Sequence, residues 1–527
     1  MKYYGIHVDC HDANVTILDE NGNLEFFAES ERYFPRIKKY QKLDNIINFF
    51  PRPKKEDIVC INYPLNCYCP LGYEEFISSI VNENCKNLNN FLVKKLIKAN
   101  TKKYFEHFIG YDIKPNFILS HHLCHVLSSW AYRQNDTLRF CLSCDGGGIY
   151  ASGDHASSLG GFISKEGFEL CELQGQIFSS IVLDSLLGKH SAGKSMGAAG
   201  YFNDNEGFSN EEAQILIKSI FFHKSKFDII GKPINPNFKL TGQQDDEKIL
   251  KLVGKFYSNA IEEIWKSIKF NLEFFIKNKS MGVVIGGGTH LALELNTKIT
   301  DYAKDVVFGP PVSDCGVSLG AAIYGYYLDK GHWPPSISTP SINYLQTPLP
   351  EVGPQEPKEI AQILANNEVI GLLRGKAECG PRSLGFRSVL ANAGDYENLK
   401  RVSQDLKERE YYRPLAPMVT EESFDKYFIG PKGEYMQYKC DCTSDAIKEV
   451  PAIVHKDNSS RPQVVFKDRD PWLHELLVEY GNLTGSECLI NTSLNGPGKP
   501  ICNTYEDAIE DFKEKNIKLI SIKNKSV

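Results

Sequence analysis

The sequence predicts an α/β chain made of a duplicated N-terminal core followed by a separate α+β unit, and three observations predict it. A strand–turn–strand pattern occurs twice, as YYGIHVD, VTIL and LEFFAES and again as RFCLSCDGG, SSLGGFIS and KEGFEL, each time leaving an Asp (Asp9, Asp145) at the end of a buried strand. A proline- and serine-rich stretch, 332–357, carries few periodic apolar residues and reads as a linker. Beyond it, KEIAQILANNEVIGLLRG restarts a helix-then-strand pattern that runs to the C-terminus. The expected domains are therefore 1–340, a linker at 341–357, and 358–527.

Each element has a local reason. Asn21-Gly22 is a hairpin turn between alternating strands. NFILSHHLCHVLSSWAY is an apolar strand leading into a helix with Leu123, Val126, Leu127, Trp130 and Ala131 on one face. Between about 204 and 280 apolar residues recur every three or four positions, as in DEKILKLVGKFYSNAIEEIWKSIKF, which predicts long helices. MGVVIGGGTHLALELNTKI reads as strand, glycine turn and helix.

At 527 residues and 42% hydrophobic, the chain can bury two or three cores without disulfides or structural metals, which excludes a disordered or mini-protein reading. Sixty Lys+Arg against sixty-six Asp+Glu give a net charge of −6, so nothing attracts the whole molecule to nucleic acid or an anionic membrane, and an anion site must be local. The fifteen cysteines are scattered from Cys10 to Cys502, and no apolar run is long enough for a signal or a membrane span. A reduced, cytoplasmic protein is expected. Cys141/Cys144 and Cys440/Cys442 lack a second pair at finger-like spacing and read as ordinary thiols.

Several groups carry chemistry. His121 and His125 stand at i and i+4 opposite the apolar face, a spacing that serves either two nitrogens on one metal ion or two solvated surface histidines. Asp314, in FGPPVSDCGVSLGAA, is either a third ligand or a helix N-cap, and Ser313 is able to cap in its place. Glycine turns at 144–154, 188–202 and 284–296 match neither the P-loop nor the dinucleotide fingerprint, yet surround one core. In the C-terminal unit Arg374, Arg382, Arg387, Lys407, Arg409 and Arg413 cluster around Gly-Pro turns. His455, Arg461, Gln463, Asn491, Ser493 and Asn495 follow, and together these residues read as an anion pocket.

Taken together, HDANVTIL (11–18), HHLCHVLSSW (121–130), CDGGG (144–148), GKSMGAAGY (193–201), GGGTHLALELN (286–296), SDCGVSLGAA (313–322), ECGPRSLGFRS (378–388), KEREYYRPLAP (407–417), HKDNSSRPQ (455–463) and NTSLNGPGKPI (491–501) resemble the carbamoyltransferases that modify Nod factors, cephamycin and tobramycin. The resemblance runs in order over nearly the whole chain. It implies a Kae1-like N-terminal domain of the actin-like ATPase superfamily and a YrdC-like C-terminal domain. It also implies carbamoyl adenylate, formed from carbamoyl phosphate and ATP, and transfer of the carbamoyl group to a hydroxyl of a small molecule: a sugar, an antibiotic, another natural product or a hydroxymethylated nucleotide.

By the same resemblance His121, His125 and Asp314 would hold a divalent ion (iron, manganese or magnesium), and His11, Asp12 and Asp145 would be catalytic beside the acceptor hydroxyl. Lys194, Gly197, Gly287, Gly288 and Asn296 would bind nucleotide in the N-terminal domain. Arg374, Arg382, Arg387, Lys407, Arg409, Arg413, His455, Arg461, Asn491, Ser493 and Asn495 would bind carbamoyl phosphate and ATP. Three positions depart from the pattern: His290 replaces an alanine, Ala292 an asparagine, and Lys499 an acid. No membrane or nucleic-acid partner is expected, and a homodimer is compatible with the reading. The competing reading is a kinase-like or non-catalytic nucleotide-binding protein of the actin-like superfamily, for which the Arg-rich unit has no obvious use.

Overall fold

The computed structural model describes residues 1–8, 12–40, 42–63, 65–66, 71–72, 113, 115–145, 149–150, 158–174, 192–202 and 244–523. His11, part of the CDGGG turn, and most of the helical stretch before residue 244 lie outside the described residues.

Two sheets repeat one topology. In the first, β1 (Tyr3–Val8), β2 (Ala13–Leu18), β3 (Leu24–Glu29), β4 (Ile58–Tyr63) and β5 (Phe117–Ser120) lie in the order β3-β2-β1-β4-β5, with a short strand, Leu71–Gly72, outside β5. In the second, β6 (Arg139–Cys144), β7 (Ser158–Ser164), β8 (Gly167–Cys171), β9 (Gly282–Gly286) and β10 (Val306–Val307) lie in the order β8-β7-β6-β9-β10. Each half begins with an antiparallel meander and continues with parallel strands on the other side of its first strand. The N-terminal core is thus duplicated, as the repeated strand pattern predicts.

Helices α1 (His121–Trp130), α2 (Ala192–Tyr201), α3 (Gln244–Phe275), α4 (Leu293–Ile299) and α5 (Val317–Lys330) accompany these sheets. The pair α1 and α5 crosses between them at backbone contact. A Cβ on Gly320 of α5 would stand 1.9 Å from the Cys124 carbonyl of α1, and one on Gly5 of β1 would stand 1.8 Å from the Ser318 carbonyl. Only glycine permits that approach. It brings the start of α1 and the turn before α5 to the same point.

The C-terminal half is an α+β layer with a mixed six-stranded sheet, in which β11 (Ile370–Arg374), β12 (Arg387–Asn392), β13 (Ala416–Thr420), β14 (Gln463–Val465), β15 (Cys488–Ser493) and β16 (Lys518–Ile522) lie in the order β14-β13-β15-β12-β11-β16. Helices α6 (Pro357–Ala365) and α7 (Pro471–Thr484) cover one face. The N-terminal half meets it in buried contacts. Arg36 donates to both carboxylate oxygens of Asp511 at 2.9 Å, and the Gly380 amide donates to Glu29 at 2.7 Å. The apolar core of the first half continues into Cys379, Leu384, Tyr412, Tyr435 and Met436. Among the described residues no helix is long and apolar enough to cross a membrane.

Candidate functional site

Helix α1 starts directly after β5, with Ser120 as N-cap accepting from the Leu123 amide. All ten of its residues are buried, including the polar face, so the solvated reading of His121 and His125 falls: they are 3% and 0% exposed. Their Nε2 atoms are 3.0 Å apart. Asp314 Oδ1 lies 3.4 Å from His121 Nε2 and 3.2 Å from His125 Nε2. Asp145 Oδ2 lies 3.3 and 3.6 Å from the same nitrogens.

The ligand atoms of all four residues fall within 4.8 Å of one another. Donors bonded to one ion at about 2.1 Å are themselves about 3–3.5 Å apart, so this spacing fits a single divalent ion held by two imidazoles and two carboxylates. Asp145 thus stands within the ligand group rather than apart from it. Burial and the neighbouring Asp314 work to raise its carboxyl, but the His121 and His125 imidazoles outweigh them and hold it well below the usual carboxylate range.

The supporting residues come from elsewhere in the chain. Ser313 makes no side-chain cap. Asn14 of β2 takes that task, donating to the Asp314 carbonyl and accepting from the Ser318 amide, both at 3.0 Å. The Gly288 amide donates to Asp145 Oδ1 at 2.8 Å, and a Cβ on Gly287 would stand 2.1 Å from the Cys144 carbonyl. These two glycines therefore brace Asp145, a use the sequence alone does not reveal. Asn296, expected to touch nucleotide, is fully buried and committed to the protein: its Nδ2 donates to the carbonyls of His290 and Gln437, and its Oδ1 faces His290 Nδ1 at 2.9 Å. Burial pushes the His290 imidazole down to about 4 and keeps it neutral.

The C-terminal cations sort into two groups. Arg387 is fully buried and donates to the carbonyls of Arg374, Gly375, Phe386 and Asn503. Lys407 donates to the Ser493 and Asn495 carbonyls and to Asn495 Oδ1, each at 2.6 Å. Arg374 forms a bidentate pair with Asp470. Asn491 is spent on Ser383 and Gln463, Ser493 on Asn495, and His455 on Asp457 and the Tyr412 carbonyl. In this structure the polar atoms of these expected ligands have protein partners. Lys499 pairs with Glu510 and Asp511 at the surface.

Arg382, Arg409, Arg413 and Arg461 are different. Burial lowers Arg461 well below its ordinary value, and Arg382, Arg409 and Arg413 add to it. Burial and then Arg413 lower Arg382, and burial, Arg413 and Arg382 lower Arg409 against the pull of Glu410. The Arg461 Nε is buried without a hydrogen-bond partner. Guanidinium stays protonated in proteins, so an anion, not proton loss, would relieve this mutual repulsion.

Two residues expected at the N-terminal nucleotide site also come here. Lys194 of α2 pairs with Glu410 at 2.6 Å, and a Cβ on Gly197 would touch Tyr412 and Arg413 at 3.6–3.7 Å. Lys38, which the sequence reading missed, interacts with Arg413 and Arg409 from the turn after β3.

The duplicated core thus carries a buried four-residue group able to hold a divalent cation, and the second part carries a buried guanidinium cluster. Residues 361–527 of the chain match the family model described as carbamoyltransferase C-terminus. It is 34% identical to nodulation protein U of Azorhizobium caulinodans over 42% of this chain and 41% of that one. Over 95% of this chain and 76% of the other it is 24% identical to nodulation protein NolNO of Sinorhizobium fredii. An uncharacterized protein of Methanocaldococcus jannaschii is 25% identical over 94% of this chain and 87% of its own.

Proposed function

We propose that the protein is an ATP-dependent O-carbamoyltransferase in which 358–527 form carbamoyl adenylate and 1–340 transfer the carbamoyl group to a hydroxyl of a small molecule. The observation that carries this reading is the convergence of Arg382, Arg409, Arg413 and Arg461 with Glu410 as the carboxylate among them. Such a cluster suits two phosphate-bearing substrates together, since bidentate guanidinium contacts fix phosphates and neutralise charge that grows at the α-phosphate.

In balanced form, a water molecule hydrolyses carbamoyl phosphate to carbamate and phosphate, releasing a proton. A carbamate oxygen then attacks the α-phosphorus of ATP, and pyrophosphate leaves. The acceptor hydroxyl attacks the carbamoyl carbon of the adenylate, AMP departs, and the hydroxyl proton passes to His11 or Asp12. Passing the adenylate from one site to the other without release to water limits its hydrolysis.

His121, His125, Asp145 and Asp314 would hold the divalent ion, and two imidazole nitrogens in the set favour iron or manganese over magnesium. When bound, the ion supplies Lewis-acid charge at phosphate or carbonyl oxygens. The acceptor class remains that of the family: a sugar, an antibiotic, another natural product or a hydroxymethylated nucleotide.

The test is pyrophosphate release from ATP with carbamoyl phosphate and a divalent ion, without acceptor. Release that requires carbamoyl phosphate and vanishes in Arg382→Ala is the expected result. Nucleotide binding by calorimetry with no pyrophosphate, acceptor candidates included, would return the chain to the binding-protein reading.

A further inference from the structure

Three buried polar side chains from three different elements form a line that ends on the metal cluster. His7 of β1 and Asn62 of β4 are fully buried, and His121 opens α1. His7 Nδ1 stands 2.8 Å from Asn62 Oδ1, and Asn62 Nδ2 stands 3.1 Å from His121 Nδ1. The rings of His7 and His121 are 5.9 Å apart, with the amide of Asn62 linking them. Strand pairing sets this juxtaposition, since β1 and β4 are parallel neighbours and β4 lies beside β5, from which α1 springs.

We propose that Asn62, backed by His7, is a positioning residue for the metal centre: it fixes the ring plane and the tautomer of His121 so that Nε2 is presented as a lone pair. The chemistry follows from counting protons. An imidazole that gives its Nε2 lone pair to a cation carries its proton on Nδ1, and that N–H needs a buried acceptor. The two ends of the Asn62 amide are nearly equal in shape, so a half-turn about its terminal bond sets Oδ1 against His121 Nδ1 without moving either neighbour. The same half-turn sets Nδ2 against His7 Nδ1, which then acts as acceptor while the His7 proton sits on Nε2. With the cation on His121 Nε2, both rings are neutral in this arrangement. The chain of hydrogen bonds has only reversed direction, and His7 decides whether Asn62 can hold that direction.

This inference rests on the metal-centre reading, and the experiment separates the two. The full-length protein, stripped of metal, is titrated with Co2+ and followed by its visible absorption, with circular dichroism of each metal-free variant as the control for folding. Wild type is expected to bind one Co2+, and His125→Ala is expected to abolish that binding. A wild type that binds no Co2+ overturns the metal centre and this inference with it.

Given a binding wild type, Asn62→Leu removes the acceptor and is expected to weaken Co2+ binding roughly 10–100-fold. Asn62→Asp restores a stronger acceptor at the same place, is expected to bind at least as tightly as wild type, and shifts the cobalt bands because His121 becomes the more basic ligand. A folded Asn62→Leu with unchanged Co2+ affinity overturns the proposal while leaving the centre intact. Should Asn62→Leu fail to fold, Asn62→Asp decides: a loss of affinity of about tenfold or more overturns the assignment, because a purely structural amide has no reason to be rescued by a carboxylate.

Discussion

The metal cluster and the guanidinium cluster solve opposite electrostatic problems. Around His121, His125, Asp145 and Asp314 the charges are mixed: burial acts to lower His121, and Asp314 and Asp145 raise it well above its ordinary value, so the group is largely self-compensated before any ligand arrives. Around Arg382, Arg409, Arg413 and Arg461 the charges are alike, and Glu410 is set against four cations. The first arrangement is held by geometry and needs a small cation to organise its donors. The second is held by surrounding braces, Arg387 and Lys407 among them, and needs an anion to relieve repulsion. On the proposed reading the two sites would load ligands of opposite sign independently, as a two-step reaction requires.

Four substitutions or conditions would break or sharpen that contrast. The largest effect is expected from His125→Ala, which should lose the metal and lower overall carbamoyl transfer roughly 1,000-fold while leaving acceptor-free pyrophosphate release near wild type. Metal analysis and the two half-reactions, measured side by side, check it; equal loss of both half-reactions would mean the two sites are not separable.

Acid should distinguish the sites next. The His290 pKa is pushed from 6.5 to about 4 by burial, so below pH 6.5 the unfolded chain binds a proton that the folded one refuses. Its contribution is present in full above pH 6.5 and is lost as pH falls toward 4, by roughly 3 kcal/mol at most. Denaturant midpoints across that window, for wild type and His290→Gln, should show a shallower acid loss in the variant. The guanidinium cluster has no comparable window, because arginine does not titrate there.

Arg461→Ala removes the guanidinium whose Nε has no protein partner and should lower pyrophosphate release about 100-fold without altering Co2+ binding. The smallest effect belongs to Glu410→Gln. It deletes the carboxylate that pairs with Lys194 and Arg413, and should tighten pyrophosphate binding up to about tenfold by calorimetry, more at low salt than at high.

Parts of this site are legible in the sequence and parts are not. The His121/His125 pair is readable because a helix places i and i+4 side by side. Asp314 is readable as a candidate only, since capping and coordination leave the same mark in a sequence; Asn14 resolves it by serving the helix start from β2. Arg382, Arg387, Lys407 and Arg461 look alike as letters. Arg387 and Lys407 turn out to be spent on carbonyls, while Arg461 is not, because carbonyl direction depends on how loops fold around β12 and β15. Lys194 and Gly197 sit in a glycine-rich segment that suggests a nucleotide loop, yet they pack on 410–413 in the other half of the molecule.

What the sequence by itself determined is everything set by short-range periodicity and turn chemistry: the repeated strand pairs, the histidine helix, the proline-rich stretch, and the presence of enough arginine in one unit to bind an anion. What only the tertiary structure decided is which side chains from distant strands share a point and which are already satisfied. Asp145 joins the candidate ligand group because β6 and β9 end beside α1, and that crossing depends on glycines at positions 5 and 320 admitting backbone against backbone. Long-range convergence of this kind is a property of packing, in which close contacts are chosen among many sequence-compatible pairs by which backbones can approach, and no local pattern encodes that choice.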